Sequence, residues 1–543
     1  MISRQIQELP LSSSFFRRKV KDFLQENGLR LEDVSSYYAI ENDEGGIVAG
    51  AGISGDVIKC VAVAASSRSE GLVAPIISHI ISEQASKGIS NLKVFTKPEN
   101  REIFESLGFR FLAGAPGVVF MENGGALSKY CKYLESNRRE GSAGLVVMNA
   151  NPFTLGHKYL LDQAVSQVDT LYVIPVLDNA PGGFPYEERL AMIRAGAPEN
   201  VVVLEGSSYQ ISAQTFPTYF LKDLSKASEM QMLLDLEIFD RQIAPALGVS
   251  VRFVGSEPSD ALTARYNALM KETLSCKVAE IPRSAVSATQ VRQFIADGSF
   301  GGASALVPES SRPFILAALA ERALKLELDT PFKPGLVCPE SSGAHKDMDY
   351  STMQKGIAAI RPFFPAMAMS FSAEELRRLG IEAEEAMMDA TGGVNTHRGA
   401  IYAMGIALKA CGDQSAMADI ARGLLDNELK TSKLAPRLRG ARAIAAGGYR
   451  PLFDDWLPLY RSLLERNTVS SALQKTLLRI MSTLDDTCVV KRVGQERADK
   501  VKKEAGKGRW LKMLCRRYEK EGISPGGAAD MLALTIFIDS IQK

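Results

Sequence analysis

Asn149-Ala-Asn-Pro-Phe-Thr-Leu-Gly-His-Lys-Tyr-Leu-Leu161 decides the fold of the middle of this 543-residue chain. The apolar run Gly144-Leu-Val-Val-Met148 ahead of it reads as a strand, and Lys158 to Val168 behind it carries apolar residues at helical spacing. A strand that turns directly into a helix leaves unpaired backbone N–H groups and the positive end of the helix dipole at the turn. Such a turn favours phosphate. Gly156 lets an anion approach the backbone, and His157 brings an imidazole able to donate a proton to it.

Outward from this turn, strands expected at Leu145 to Met148, Thr170 to Pro175, Val201 to Leu204 and Val251 to Val254 alternate with helical stretches over residues 140–312. Alternation of that kind implies a parallel, doubly wound sheet, a Rossmann-like α/β domain. Residues 1–125 mix helices with short strands such as Ile58 to Val63 and Leu92 to Phe95, an α+β pattern. From 315 to 543 strand signals nearly vanish, and long stretches rich in Ala, Leu, Glu, Lys and Met predict an all-α domain. The loops Glu122-Asn-Gly-Gly125 and Asp297-Gly-Ser-Phe-Gly-Gly302, the latter followed by Pro308 and Pro313, separate the three segments of this multidomain chain.

Composition narrows the partners. Lys and Arg number 64 against 63 Asp and Glu, which gives no support for bulk binding of nucleic acid or an anionic membrane. No run approaches the roughly 18 to 20 apolar residues that span a bilayer, and the first residues lack the apolar core of a signal peptide. A cytoplasmic protein is expected. The seven cysteines are scattered without a C-x-x-C pair, so buried free thiols are expected rather than zinc or a disulfide framework.

A second phosphate-binding turn is expected at Val286-Ser-Ala-Thr-Gln-Val-Arg292, where Ser287 and Thr289 can cap a helix and Arg292, one turn in, reaches toward phosphate oxygens. Nucleotidyl transfer needs two such turns and little else, because the protein's task is to hold the triphosphate and neutralise the charge of the departing pyrophosphate. The pair resembles the two motifs of the HIGH-type nucleotidyltransferases, with Thr154 at the first position of [H/T]-x-G-H and Val286 in place of the usual Ile. Thr154, His157 and Arg292 are then the candidate catalytic residues, and Asn151, Gly156, Arg189, Gly255, Ser287 and Thr289 the candidate nucleotide contacts.

The likeness extends further. Met148-Asn-Ala-Asn-Pro-Phe-Thr154, Phe184-Pro-Tyr-Glu-Glu-Arg-Leu190, Ala244-Pro-Ala-Leu-Gly-Val249 and Arg252-Phe-Val-Gly-Ser-Glu-Pro258, in this order, resemble citrate lyase ligase. That resemblance implies ATP, magnesium and acetate, an acetyl-adenylate, and transfer of acetyl to the prosthetic-group thiol of the citrate lyase acyl carrier subunit, with AMP and pyrophosphate released. Ile58 to Val63 followed by Arg68-Ser-Glu-Gly-Leu-Val73 is similar to the strand, loop and helix of GNAT acetyltransferases and to the leading domain of citrate lyase ligase. Val73 stands where the GNAT loop has a second Gly, and docking of the pantetheine arm or the carrier is the expected role.

In the helical segment, two of the chain's four histidines fall in dense polar clusters: Thr330-Pro-Phe-Lys-Pro-Gly-Leu-Val337 with Gly343-Ala-His-Lys-Asp-Met-Asp349, and Ala390-Thr-Gly-Gly-Val-Asn-Thr-His-Arg-Gly399. A third cluster is Leu484-Asp-Asp-Thr487. Lys333, Lys346 and Arg398 suit phosphates, whereas Asp347, Asp349, Asp485 and Asp486 offer the hard oxygens that magnesium prefers. These clusters, with Arg439-Gly-Ala-Arg442 and Ile523-Ser-Pro-Gly-Gly-Ala-Ala-Asp530, resemble triphosphoribosyl-dephospho-CoA synthase. The reaction implied moves the triphosphoribosyl group of ATP to the ribose 2′-hydroxyl of 3′-dephospho-CoA and expels adenine. His345 and His397 are candidates for proton transfer or phosphate contact, Asn395 and Arg442 for substrate contact, and Asp485 and Asp486 for a magnesium–triphosphate. One departure follows Asp486-Thr487: the chain reads Cys-Val-Val-Lys-Arg-Val-Gly494 where the family more often has Asn and a His-Arg-Gly-Gly string.

Together the resemblances imply a bifunctional enzyme of citrate lyase maturation. Alternatives are an adenylyltransferase for a pantetheine or nicotinamide nucleotide, and a nucleotide-binding assembly scaffold with decayed sites. A carrier from malonate decarboxylase, whose precursor synthase is similar, is set aside by the ligase segment.

Overall fold

Seven short strands alternating with helices build the leading sheet, in a computed structural model that describes residues 5–177, 182–210, 216–221, 224–256, 260–282, 285–431, 440–508 and 511–543. They are β1 (Ile6–Leu9), β2 (Ser36–Glu41), β3 (Ile47–Ser54), β4 (Val57–Val63), β5 (Leu92–Thr96), β6 (Arg110–Ala115) and β7 (Val118–Asn123), in the order β1-β2-β3-β4-β5-β7-β6. β3 is almost wholly apolar and β5 is buried along its length, Lys93 and Thr96 included, because each face is covered, one by a core around Ile58, Ile76, Ile80 and Val94, the other by a core around Tyr37, Phe95, Phe120 and Tyr219. All neighbouring pairs but one are antiparallel. β4 and β5 run parallel and pair only at Val57 with Lys93 and Ile58 with Val94, after which they part.

The fork between β4 and β5 is occupied by the chain itself. Tyr219, 4% exposed, donates its hydroxyl to the Phe95 carbonyl of β5 at 3.5 Å, and its own carbonyl accepts from the Arg30 N–H at 3.2 Å. Phe216 packs edge-on against Phe95 with centroids 5.6 Å apart, and Thr218 donates its N–H to Glu32 Oε1 at 2.6 Å. Burial, with Cys60 of β4 nearby, pushes the Tyr219 hydroxyl well above the usual phenol range.

A second sheet follows, formed by β8 (Ala143–Met148), β9 (Thr170–Pro175), β10 (Val201–Val203), β11 (Val249–Gly255) and β12 (Lys277–Ile281). Every pair is parallel and the order is β10-β9-β8-β11-β12. The chain moves one way from β8 to β10 and then crosses back to β11, so the order reverses between β8 and β11. In such sheets ligands lie beyond the carboxyl ends of the strands at that reversal. Met148 and Gly255 are the last residues of the two strands there.

Two compact units result: residues 1–151 with 157–285, holding both sheets, and residues 152–156 with 286–543. The second unit is helical, and among its described residues the only β pairing is an isolated bridge between Cys338 and Ser341. Its centre is the helix Gly526–Ile541, apolar around its whole circumference and buried accordingly, which packs against Arg312–Leu328. The helices Ala288–Asp297 and Phe300–Ser304 belong to this unit through Arg322 Nε donating to the Ala296 carbonyl at 2.8 Å and Ser299 Oγ to the Lys543 carbonyl at 3.1 Å.

The multidomain α/β and helical character matches the expectation. The cysteines match it less well: all seven are free, but Cys411 and Cys488 are exposed and only Cys60, Cys338 and Cys515 are fully buried. No described helix is long and apolar enough to cross a membrane.

Candidate active sites

In the first unit, the turn after β8 is held from beneath by Arg189. This side chain is 0% exposed, the most deeply buried charge beside the turn. Its Nη1 donates to the Asn149 carbonyl at 2.7 Å, to Asn149 Oδ1 at 3.0 Å and to the Val176 carbonyl at 2.9 Å, while Nε donates to the Phe184 carbonyl at 3.1 Å. Arg189 thus ties the ends of β8 and β9 to the loop before the helix Tyr186–Gly196. Asn151 completes the brace, its Oδ1 accepting the Phe184 N–H at 2.8 Å. Between Asn149 and Asn151, Ala150 takes a left-handed conformation with φ 46°, which reverses the chain sharply enough to start the helix Leu155–Val165. His157 lies half-buried in the first turn of that helix. At the end of β11, a side chain built on Gly255 would meet nothing within 4 Å, so the backbone there faces open space. Glu257 and Pro258 of the same motif lie outside the described residues.

In the second unit, Gly156 meets the later motif directly. A Cβ on Gly156 would stand 3.0 Å from the Val286 carbonyl oxygen and 3.5 Å from Thr154 Oγ1. The missing side chain therefore lets the helix start approach Val286, a packing role beside the phosphate contact anticipated for it. Leu155 N–H donates to the Leu306 carbonyl at 2.9 Å, and Ser311 Oγ to the Phe153 carbonyl at 3.1 Å. Ser287 caps the helix Ala288–Asp297 in a reciprocal box with Gln290, its Oγ accepting the Thr289 N–H at 3.2 Å. Arg292 Nη2 donates to Thr289 Oγ1 at 3.0 Å.

The helical unit also contains a cavity of about 860 Å³, within the range of a nucleotide-sized pocket. Of the residues expected to act here, His345, Asp347, Asn395, His397, Arg398, Arg442 and Asp486 line it. Four others do not. Lys333 is buried in an ion pair with Glu327 at 2.6 Å, Lys346 is exposed elsewhere, Asp349 caps the helix Tyr350–Ile360 by accepting from Thr352 N–H at 2.8 Å, and Asp485 pairs with Lys502 at 2.7 Å. The four aspartates therefore do not converge, and among the described residues no group of three or more His, Cys, Asp or Glu is placed to hold a metal. Arg439 lies outside the described residues.

Both histidines are neutral. His345 Nε2 lies 2.7 Å from Ser524 Oγ and its Nδ1 is 3.3 Å from an Arg492 nitrogen and 3.7 Å from Asp347. Burial and then the Arg492 charge lower its pKa, against Asp347. His397 Nδ1 lies 2.8 Å from Thr396 Oγ1, and burial, with the Lys333 charge, pushes it down to about 4. Because the folded value lies below that of an unfolded histidine, the unfolded chain takes up the proton first as the pH falls. Stability is then lost from about pH 6.5 downward, by about 2 kcal/mol at pH 5. Trp456 is buried in this unit, so urea denaturation followed by tryptophan fluorescence at pH 7 and 5 reads the effect. A His397→Asn chain should lack that part of the acid loss; an identical loss in both would remove His397 as its source.

Sequence reasoning missed Glu327, Lys491, Arg492, Ser524 and Asp530, all on the cavity wall. Asp530 carried a signal: with Asp539 it is one of two carboxylates in the mostly apolar helix Gly526–Ile541. Burial first, then Asp486 and Glu327, lift its pKa well above the carboxylate range. Asp486 has a structural task. It caps the helix Thr487–Gly506, Oδ1 accepting from Cys488 N–H at 2.8 Å, and its Oδ2 accepts from Ala528 N–H at 3.0 Å at the start of the next wall. Asp486→Ala should cost about 2 kcal/mol by urea denaturation on tryptophan fluorescence, with Asp486→Asn recovering most of it. Equal losses in the two variants would argue against the capping account.

A family model described as the citrate lyase ligase C-terminal domain matches residues 143–315, and one described as ATP:dephospho-CoA triphosphoribosyl transferase matches 313–433 and 427–543. The citrate (pro-3S)-lyase ligase of Haemophilus influenzae is 37% identical over 315 residues, 54% of this chain and 94% of that protein. That of Escherichia coli is 38% identical over 309 residues, covering 53% and 87%. A Salmonella typhi protein named "Probable 2-(5''-triphosphoribosyl)-3'-dephosphocoenzyme-A synthase 1" is 34% identical over 270 residues, 41% of this chain and 89% of its own length. The chain belongs to both families, citrate lyase ligase and triphosphoribosyl-dephospho-CoA synthase, joined in one polypeptide.

Proposed function

We propose that this chain is a bifunctional enzyme of citrate lyase maturation. It makes 2′-(5″-triphosphoribosyl)-3′-dephospho-CoA from ATP and 3′-dephospho-CoA, releasing adenine, and it acetylates the prosthetic-group thiol of the acyl carrier subunit with ATP and acetate, releasing AMP and pyrophosphate. One observation carries the reading: the two family matches meet at residues 313–315 and leave nothing between them. The domains run as a GNAT-like domain over 1–125, a nucleotidyltransferase domain over 140–312 and a helical synthase domain over 315–543, in a cytoplasmic protein.

In the ligase reaction Thr154, Gly156, Ser287, Thr289 and Arg292 hold phosphate oxygens, His157 donates to the charge that grows on the departing pyrophosphate, and acetate attacks the α-phosphorus. Asn151 and Arg189 act through the shape of the turn. The order of the leading sheet and its parting strands support a GNAT-like fold, with Tyr219 standing in the fork that opens between them. That domain then serves as a docking platform for the carrier.

In the synthase reaction the C1–N9 bond of ATP breaks, a bond from C1 to the 2′-oxygen of dephospho-CoA forms, and the hydroxyl proton is replaced on adenine by an equivalent one. Burial favours the neutral form of His345, which can take the hydroxyl proton, and raises the Asp530 pKa, which favours the protonated form that can give one to adenine. Magnesium, when bound, neutralises triphosphate charge. The residues fit an ion that takes most ligands from triphosphate oxygens and water, with the exposed Asp347 carboxylate as the available protein donor, rather than a closed protein cage.

Incubation with ATP and 3′-dephospho-CoA should yield adenine and a product with the mass of triphosphoribosyl-dephospho-CoA. Separate incubation with ATP, acetate and deacetylated carrier should yield AMP. Absence of adenine from the first mixture rejects the synthase half, and acetate-independent pyrophosphate release in the second rejects the ligase half.

A further inference from the structure

The helical cavity is lined by charges of both signs. Glu327 and Asp530 come from the helices Arg312–Leu328 and Gly526–Ile541, and Asp486 from the cap of the helix Thr487–Gly506. Arg398, Arg442, Lys491 and Arg492 supply the cations. Cys488 lies within reach of the charges of Asp486, Asp530 and Lys491. Several cations of this unit are matched by carboxylates, as Arg398 is by Glu384, Lys502 by Asp485 and Arg497 by Glu504 and Glu521. Lys491 and Arg492 differ. Among the described residues neither has a carboxylate partner; Arg492 donates to the Ala344 carbonyl at 3.4 Å and touches the His345 ring, and Lys491 has no hydrogen bond. Both are presented on a short helical stretch fixed at its start by Asp486 and broken at Gly494, whose φ of 79° and ψ of 168° end the helical run. Cations that line a nucleotide-sized cavity without a carboxylate partner are placed to receive a polyanion.

We propose that Lys491 and Arg492 bind the triphosphate of ATP in this cavity. The inference rests on reading the cavity as the seat of triphosphoribosyl transfer, and it gives the stretch that departs from the family pattern a positive role: Lys491 supplies a charge where the family more often has His. The side chains hold phosphate oxygens by charge and take no proton.

The test uses the full chain and inorganic tripolyphosphate as probe. Calorimetric titration should show that Lys491→Ala/Arg492→Ala binds one equivalent fewer than wild type, whereas Lys500→Ala, an exposed change beyond the break at Gly494, binds as wild type does. In the adenine-release assay the double variant should show at least a tenfold higher KM for ATP with less than a twofold change for dephospho-CoA, and Lys491→Arg should restore half of the loss or more. Unchanged tripolyphosphate stoichiometry and affinity, or a rise in KM confined to dephospho-CoA, overturns the assignment. A wild type that releases no adenine while the difference in stoichiometry persists rejects the synthase reading and leaves the anion site standing.

Discussion

Arg189→Ala should abolish AMP formation and destabilise the parallel-sheet part of the first unit by about 4 kcal/mol, because the guanidinium is fully buried and serves three backbone carbonyls and one side-chain oxygen. Alanine would leave the carbonyls of Asn149, Phe184 and Val176 without these donors in a site closed to bulk solvent. Each buried acceptor left unsatisfied costs about 1 to 3 kcal/mol, so the sum is large even after relaxation. Arg189→Lys should recover only part: an ammonium on a single stem cannot span carbonyls that a planar fork reaches at once. Hydrogen exchange reads the effect locally. Amides of 145–150 should exchange far faster in the alanine variant, while tryptophan fluorescence, which reports the helical unit, should show little change. Wild-type protection of 145–150 with normal AMP formation would dismiss the brace.

This buried brace shows where sequence reading reached and where it stopped. Alternation of apolar runs with helical stretches announced β8, β9, β10 and β11 with limits close to those observed, because a parallel strand covered on both faces must be apolar throughout. The edge strand β12 escaped notice: Lys277-Val-Ala-Glu-Ile281 pairs on one side only and carries two charges. The same limit applies to side chains. Arg189 looked like a ligand contact because an arginine beside a phosphate-binding turn is usually aimed at the phosphate, yet the fold uses it from below. Gly156 was legible as a close approach, though the approaching group in the structure is the Val286 carbonyl. In the helical unit, histidine scarcity pointed to His345 and His397, and both line the cavity. Asp530 and Lys491 did not stand out, since an acid in a mostly apolar helix and a basic pair between valines acquire meaning only when folding brings them to one cavity. Conversely, Asp349 and Asp485 lay in charged strings that proved to be a helix cap and a surface ion pair.

His157→Ala should slow AMP formation by a factor of about a hundred to a thousand, the usual cost of removing one donor to charge that develops only in the transition state. Release of adenine should continue at the wild-type rate, since the residues lining the helical cavity come from 324 onward and include none of the nucleotidyltransferase motif. The effect should fall on kcat more than on the KM for ATP: ground-state phosphate is already held by backbone N–H groups and side chains of the turns, whereas the extra charge on departing pyrophosphate is not. His157→Asn, which keeps a donor at similar reach, should recover about a tenth or more of the rate. A purely structural histidine would behave otherwise, lowering stability together with both activities. Single-turnover measurement of acetyl-adenylate formation separates the cases, because loss at the adenylation step with normal thiol acetylation from preformed acetyl-adenylate places His157 at the phosphorus. Equal loss of AMP formation and adenine release would instead mean that the two reactions of this chain are not independent, and the division of labour between the ligase motifs and the helical cavity would have to be abandoned.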